Sequence, residues 1–138
     1  MSAAQPPTNA QVPWILWGAF LVSHGLFLLT GHIVHGQDSG QAGDIEMMSL
    51  VLTGAGAMTA VGSAVLAPGL TRRQPYFVSM IMRFALAESA ALFGLVLAML
   101  GAEFHWVYTL AGLGAVAHLA AAPTQREREA HEKRRAGL

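Results

Sequence analysis

Polar residues punctuate this chain so that four long apolar runs stand between them. Residues 1–37 contain no Asp, Glu, Lys or Arg, and Val12 to Gly31 is almost wholly apolar. Between Glu46 and Arg72 lie 25 uncharged residues, Met47 to Thr71. Tyr76 to Ala102 is apolar apart from Arg83 and Glu88, and 22 further uncharged positions separate Glu103 from Arg126. About 20 apolar residues in a helix cross the hydrocarbon core of a bilayer, so these runs predict four transmembrane helices near 12–31, 47–68, 76–101 and 104–122. They lack period-two alternation and are longer than a barrel strand, which argues against a β-barrel. The expected fold is all-α: an N-terminal tail over 1–11, a four-helix transmembrane domain over 12–122 and a charged cytoplasmic tail over 123–138. No basic residues precede the first run and no small-residue cleavage site follows it, so it is read as a retained span rather than a signal peptide.

Composition sharpens this picture. Of the 138 residues, 54% are hydrophobic and 12% charged, with a mean hydropathy of +0.46. A soluble domain has about a quarter of its residues charged. The absence of cysteine removes a disulfide scaffold. A net charge of zero offers no footprint for nucleic acid. Basic residues flank the cytoplasmic ends of membrane helices. Arg72 and Arg73 follow the second run and the tail carries Arg126 to Arg135, whereas 36–46 and Glu103 are acidic. Both termini are therefore expected in the cytoplasm, as for an integral protein of a bacterial inner membrane. The tail, TQREREAHEKRR, mixes both signs at helical spacing and is expected to be a solvated extension of the last helix.

The chemistry concentrates in the second and third runs. From Thr53 to Ala64 the second run is small at nearly every position, and small residues let helices approach closely in lipid. Glu88 lies 12 residues past Tyr76, about 18 Å into the membrane by helical rise. A carboxylate at that depth is costly when charged, and the group is a proton- or ion-carrying candidate. A protonated acid bonded to a neighbouring helix is the structural alternative. Arg83 sits five residues earlier on another face, either reaching the cytoplasmic headgroups or partnering an acid of another chain. A hairpin folded about Arg72 places residue 88 level with residue 56, so that Glu88 is expected to face Gly56.

Over residues 50–101 the chain resembles the c subunit (proteolipid) of rotary ATP synthases and ATPases. The resemblance is carried by Gly54-x-Gly56-x-Met58-x-Ala60-x-Gly62-x-Ala64, by the turn Arg72-Arg73-Gln74-Pro75, and by Phe84-Ala-Leu-Ala-Glu88-Ser followed by an aliphatic run. It implies that Glu88 is the ion-binding carboxylate, with Ser89 and Thr59 as polar helpers. Gly54, Gly56 and Gly62 would be its close-packing partners, and Arg72, Arg73, Gln74 and Pro75 a loop facing central-stalk subunits. The implied partners are copies of the chain in a ring and a stator subunit bearing an arginine. The second run has no glutamine to complete a sodium site, so protons are the implied ion.

Six histidines remain. His32, His35 and His105 fall at the outer face, where they suit a metal or haem edge in an accessory subunit of a respiratory or photosynthetic complex, or serve as plain interfacial residues. A haem between His24 and His118 is disfavoured by depth, since His24 lies near mid-membrane and His118 within a turn of the cytoplasmic end. Trp14, Trp17, Trp106 and Tyr108 are read as interfacial anchors. The chain has no phosphate loop or catalytic triad, so no catalytic residue and no resident cofactor are expected. A structural bundle without transport is the third reading.

Overall fold

The structure, a computed structural model, describes residues 11–35 and 45–137. All the regular elements among the described residues are helical: α1 (Gln11–His35), α2 (Ile45–Val61), a π-helical turn (Gly62–Leu66), α3 (Ala67–Leu70), α4 (Tyr76–Met99), α5 (Phe104–Ala120) and α6 (Gln125–Ala136). Three stretches are long and apolar enough to cross a membrane: Gln11–Val34, Glu46–Leu70 and Tyr76–Met99. A fourth, α5, reaches that length only together with α6, from which it is bent by 76°. The N-terminal tail and the acidic segment 36–44 lie outside the described residues.

Each boundary has a local cause. Pro68 has no N–H for the carbonyl four residues back, and its ring would collide with it. The wide turn before it absorbs the mismatch, with the Ala67 amide bonded to Gly62 O. Pro75 caps the start of α4 in an extended conformation. At the other end Gly101 adopts φ 75°. There the Gly101 amide bonds Ala98 O at 3.2 Å and the Ala102 amide bonds Leu97 O at 3.0 Å, the paired bonds that close a helix on a left-handed glycine. Pro123 stops α5 from continuing into α6, and the Thr124 hydroxyl accepts the Glu127 amide to start the new helix.

The helix α4 is central. Helix α1 runs parallel to it, joined by Phe20 against Phe84 (5.6 Å between ring centres) and by Ser23 against Glu88. Helices α2 and α5 run antiparallel to it, through the bond from the Ser63 hydroxyl to Arg83 O (2.8 Å) and through the approach of Gly114 to Ala87. The core is layered. Large side chains fill both ends, Leu97, Val107 and Leu110 at one and Met80 and Phe84 at the other, while the middle layer is alanine alone: Ala60, Ala87, Ala90 and Ala117. Small residues there bring the backbones close at the depth of Glu88.

The expectation for the tail is corrected here. It does not extend α5 into solvent but turns back across the α3–α4 connection. His131 is buried there, its Nε2 bonded to Gln74 O at 2.9 Å and its ring edge-on to Tyr76.

Candidate functional site

Glu88 is the midpoint acid of α4 and is half-buried. Its Oε1 is hydrogen-bonded to the Ser23 hydroxyl of α1, which also lies 2.7 Å from Phe20 O. The His24 ring shares that same carbonyl, with Nδ1 2.9 Å from Phe20 O. One backbone oxygen thus ties Ser23, and through it Glu88, to His24.

His24 in turn meets His118, with ring centres 5.4 Å apart. This overturns the expectation that depth separates them. A helical side chain leans toward the N-terminus of its own helix, and α1 and α5 are antiparallel. His24 therefore reaches toward the α6 end of the bundle while His118 reaches toward the middle, and the two converge. Gly114, one turn before His118, leaves the space. A Cβ there would lie 3.0 Å from His24 Nε2 and 2.8 Å from Ala87 O.

Both imidazoles are enclosed, His24 being 4% exposed and His118 0%. Trp17, Phe20 and Phe84 surround His118 at ring-centre distances of 5.8, 6.2 and 4.8 Å. Trp17 is therefore no simple interfacial anchor. Its Nε1 donates to His118 O at 3.1 Å, while His118 Nε2 lies 2.9 Å from Trp17 O, a reciprocal clasp between α1 and α5. Each histidine spends one nitrogen on a backbone carbonyl. The other nitrogen, Nε2 of His24 and Nδ1 of His118, is buried without a hydrogen-bond partner. Leaving such an atom unsatisfied costs about 1–3 kcal/mol.

The structure relocates most of the predicted companions of Glu88. Gly56 does not face it. A Cβ on Gly56 would meet the Leu110 side chain and, at 3.3 Å, Phe93 Cβ. The hairpin is not centred on Arg72: Ser63 pairs with Arg83 near the turn, and deeper in the bundle Phe93, not Glu88, is the α4 residue beside Gly56. Level alone also leaves rotation free, and Glu88 is turned toward α1. A Cβ on Gly54 or Gly62 would have no atom within 4 Å, so neither is a close-packing position. Thr59 and Ser89 bond their own helices, Thr59 to Gly56 O and Ser89 to Ala85 O, each at 2.8 Å. Gly56 is a close-approach glycine, though against Leu110 and Phe93 and not Glu88, and others are Gly114, Gly31, with Ala98 Cβ 3.1 Å from a Cβ, and Gly94, with Val107 O 3.2 Å from one. Arg72, Arg73, Gln74 and Pro75 form an exposed turn.

Arg83 is neither snorkelling nor waiting for another chain. It is 8% exposed, with Nη1 3.0 Å from Glu127 Oε2 of α6 and Nη2 3.2 Å from Ala120 O. The two outer histidines whose side chains are described, His32 and His105, have separate partners. His32 packs on Phe104 and His105 pairs with Glu103 at 3.1 Å, while the side chain of His35 lies outside the described residues. Among the described residues no group of three His, Cys, Asp or Glu side chains comes together as a metal site.

Ser23, His24 and His118 could have been suspected from sequence only as polar residues inside apolar runs. Nothing in their spacing announces that they meet Glu88. Compared with known proteins, the chain matches no family model, no protein of curated function and no solved structure.

Proposed function

We propose that this protein is an integral membrane proton carrier whose working group is Glu88. The observation that carries the reading is the bond between Glu88 and Ser23 at the midpoint of α4. A serine hydroxyl has one hydrogen to give and two lone pairs to receive with, and here two acceptors compete for that hydrogen: Phe20 O and the Glu88 carboxyl. A protonated Glu88 donates to Ser23, which then donates to Phe20. An ionised Glu88 takes the Ser23 hydrogen, and the Phe20 carbonyl keeps only the His24 N–H. The same atoms satisfy both protonation states by reversing the direction of a hydrogen bond, so loading and unloading a proton requires little rearrangement in a layer packed with alanine.

The resemblance to rotary c subunits supports the same chemistry on the same residue. In that form the chain is a non-catalytic rotor subunit. Copies pack through the lipid-facing flanks of α1 and α2, and the carboxyl passes a stator arginine on another subunit. The exposed Arg72–Pro75 turn then faces a central stalk. The basic residues of that turn and of α6 support placing both ends of the bundle's chain on the cytoplasmic side, with Glu103 outside, in a bacterial inner membrane.

Carbodiimide labelling tests the reading, since these reagents attack a protonated carboxyl from the lipid phase. In purified protein reconstituted in liposomes, labelling is expected at Glu88, slower at high pH and abolished in Glu88→Gln. Labelling absent from Glu88 at every pH would reject it. Electron-microscopic projection of the same sample separates a closed ring from a lone four-helix unit, and the latter confines proton transfer to one bundle.

A further inference from the structure

The mechanism above leaves two buried imidazoles unused. We infer that His24 and His118 form a second proton-binding station, which takes the proton that Glu88 releases and shares it between two histidine rings. The inference rests on the reading of Glu88 as a proton carrier.

Both rings are fixed through one nitrogen, His24 Nδ1 on Phe20 O and His118 Nε2 on Trp17 O. Those bonds make these nitrogens the N–H bearers in the neutral rings and leave His24 Nε2 and His118 Nδ1 as bare acceptors. Two acceptors without partners, buried on rings whose centres are 5.4 Å apart, offer an added positive hydrogen a vacant nitrogen on either ring. Metal ions relieve such pairs in the same way, but among the described residues no third ligand joins them.

Charge balance selects Glu88 as the source. In the transfer the O–H bond of the Glu88 carboxyl breaks and an N–H bond forms on a histidine. The products are a carboxylate and an imidazolium, and the net charge of the buried group stays zero. Geometry links the two: Ser23, bonded to Glu88, and His24 share the Phe20 carbonyl oxygen, and the His24 ring meets that of His118. The other helices bring nothing that competes. Helix α2 and the turns that continue it have no ionisable residue between Glu46 and Arg72. On α4 the two Nη atoms of Arg83 go to Glu127 of α6 and to Ala120 O, and its Nε is buried without a partner. Apart from His24 and His118 themselves, α1 and α5 supply only Trp17, Phe20 and small or apolar residues at this level. Trp17, Phe20 and Phe84 pack around the His118 ring.

The test is nitrogen-15 NMR of histidine-labelled full-length protein in bilayers, with the Glu88 carboxyl carbon read in the same sample. At neutral pH the wild type is expected to show, beside a protonated Glu88 carboxyl, a partial imidazolium signal shared by His24 and His118 and matched by an equal ionised fraction of Glu88, lost completely in Glu88→Gln and in His118→Gln. If His118→Gln does not fold, His24→Gln tests the same pair. Rings that stay neutral at every pH at which the protein is folded would overturn the inference, as would an imidazolium signal that survives in Glu88→Gln. Stoichiometric displacement of both signals by added zinc or cuprous ion would overturn it in favour of a metal site. A Glu88 carboxyl that is ionised throughout would instead reject the parent reading, so the two failures are distinct.

Discussion

The hydroxyl of Ser23 is the smallest part on which the account depends. Removing it in Ser23→Ala leaves the Glu88 carboxyl without its α1 partner, and a lost neutral hydrogen bond of this kind costs about 1 kcal/mol. The expected signature is a shift of the Glu88 acid carbonyl stretch to higher frequency in the infrared spectrum, with the fold intact. Glycines give a sharper contrast. Gly114→Ala would push a methyl to 2.8 Å from the Ala87 carbonyl and 3.0 Å from His24 Nε2, and overpacking of this sort costs about 1–3 kcal/mol. Gly112→Ala and Gly54→Ala meet nothing within 4 Å. Thermal unfolding in detergent is expected to show a lowered midpoint for Gly114→Ala and unchanged or slightly raised midpoints for the other two, because alanine restricts the unfolded chain. If the glycine repeat of α2 were the tight seam, the order would reverse.

Among the elements, α6 shows what sequence could and could not disclose. Its residues mix both signs at helical spacing, so a helix was legible, but its fresh start at Thr124 was not, because the tail was read as an extension of the helix before it. Its docking was not, because the decisive contacts are single long-range ones: Glu127 to Arg83, and His131 to Gln74 O. The Arg83–Glu127 pair is unequal, the side chains being 10% and 35% exposed, so solvent screens part of its attraction. Glu127→Gln strips the charge opposite a buried guanidinium. It is expected to loosen α6, with limited proteolysis cutting after Arg126 or Arg128 several-fold faster than in the wild type. Unchanged cleavage would mean that α6 is held by His131 alone. The four apolar helices were read within a few residues, since length and hydropathy are local properties, but α5 alone falls short of a span. The partner of Gly56 was misassigned because the hairpin is not centred on Arg72 and because level alone leaves each helix free to rotate. His24 and His118 were kept apart by counting backbone rise and ignoring the opposite lean of side chains on antiparallel helices.

For the molecule as a whole, the arrangement joins three facts of position. Large side chains close both ends of the bundle, an alanine layer brings the backbones together between them, and the polar groups Ser23, His24, Glu88 and His118 meet in and beside that layer. Burying polar side chains in lipid is costly unless each finds a partner, and two ring nitrogens here have none. A bundle built only for packing would gain stability from apolar residues at these positions. On that structural reading, Glu88→Leu and His118→Phe would both stabilise the protein. On the proton-carrying reading, any stability gained by Glu88→Leu comes with complete loss of carbodiimide labelling and proton uptake. The most direct measurement is the infrared difference spectrum of wild type minus Glu88→Gln in lipid bilayers at neutral pH. A protonated-acid carbonyl band that is present in the wild type and missing from the variant is the expected result. A carboxylate band in its place, showing an ionised and wetted side chain at position 88, would contradict the account.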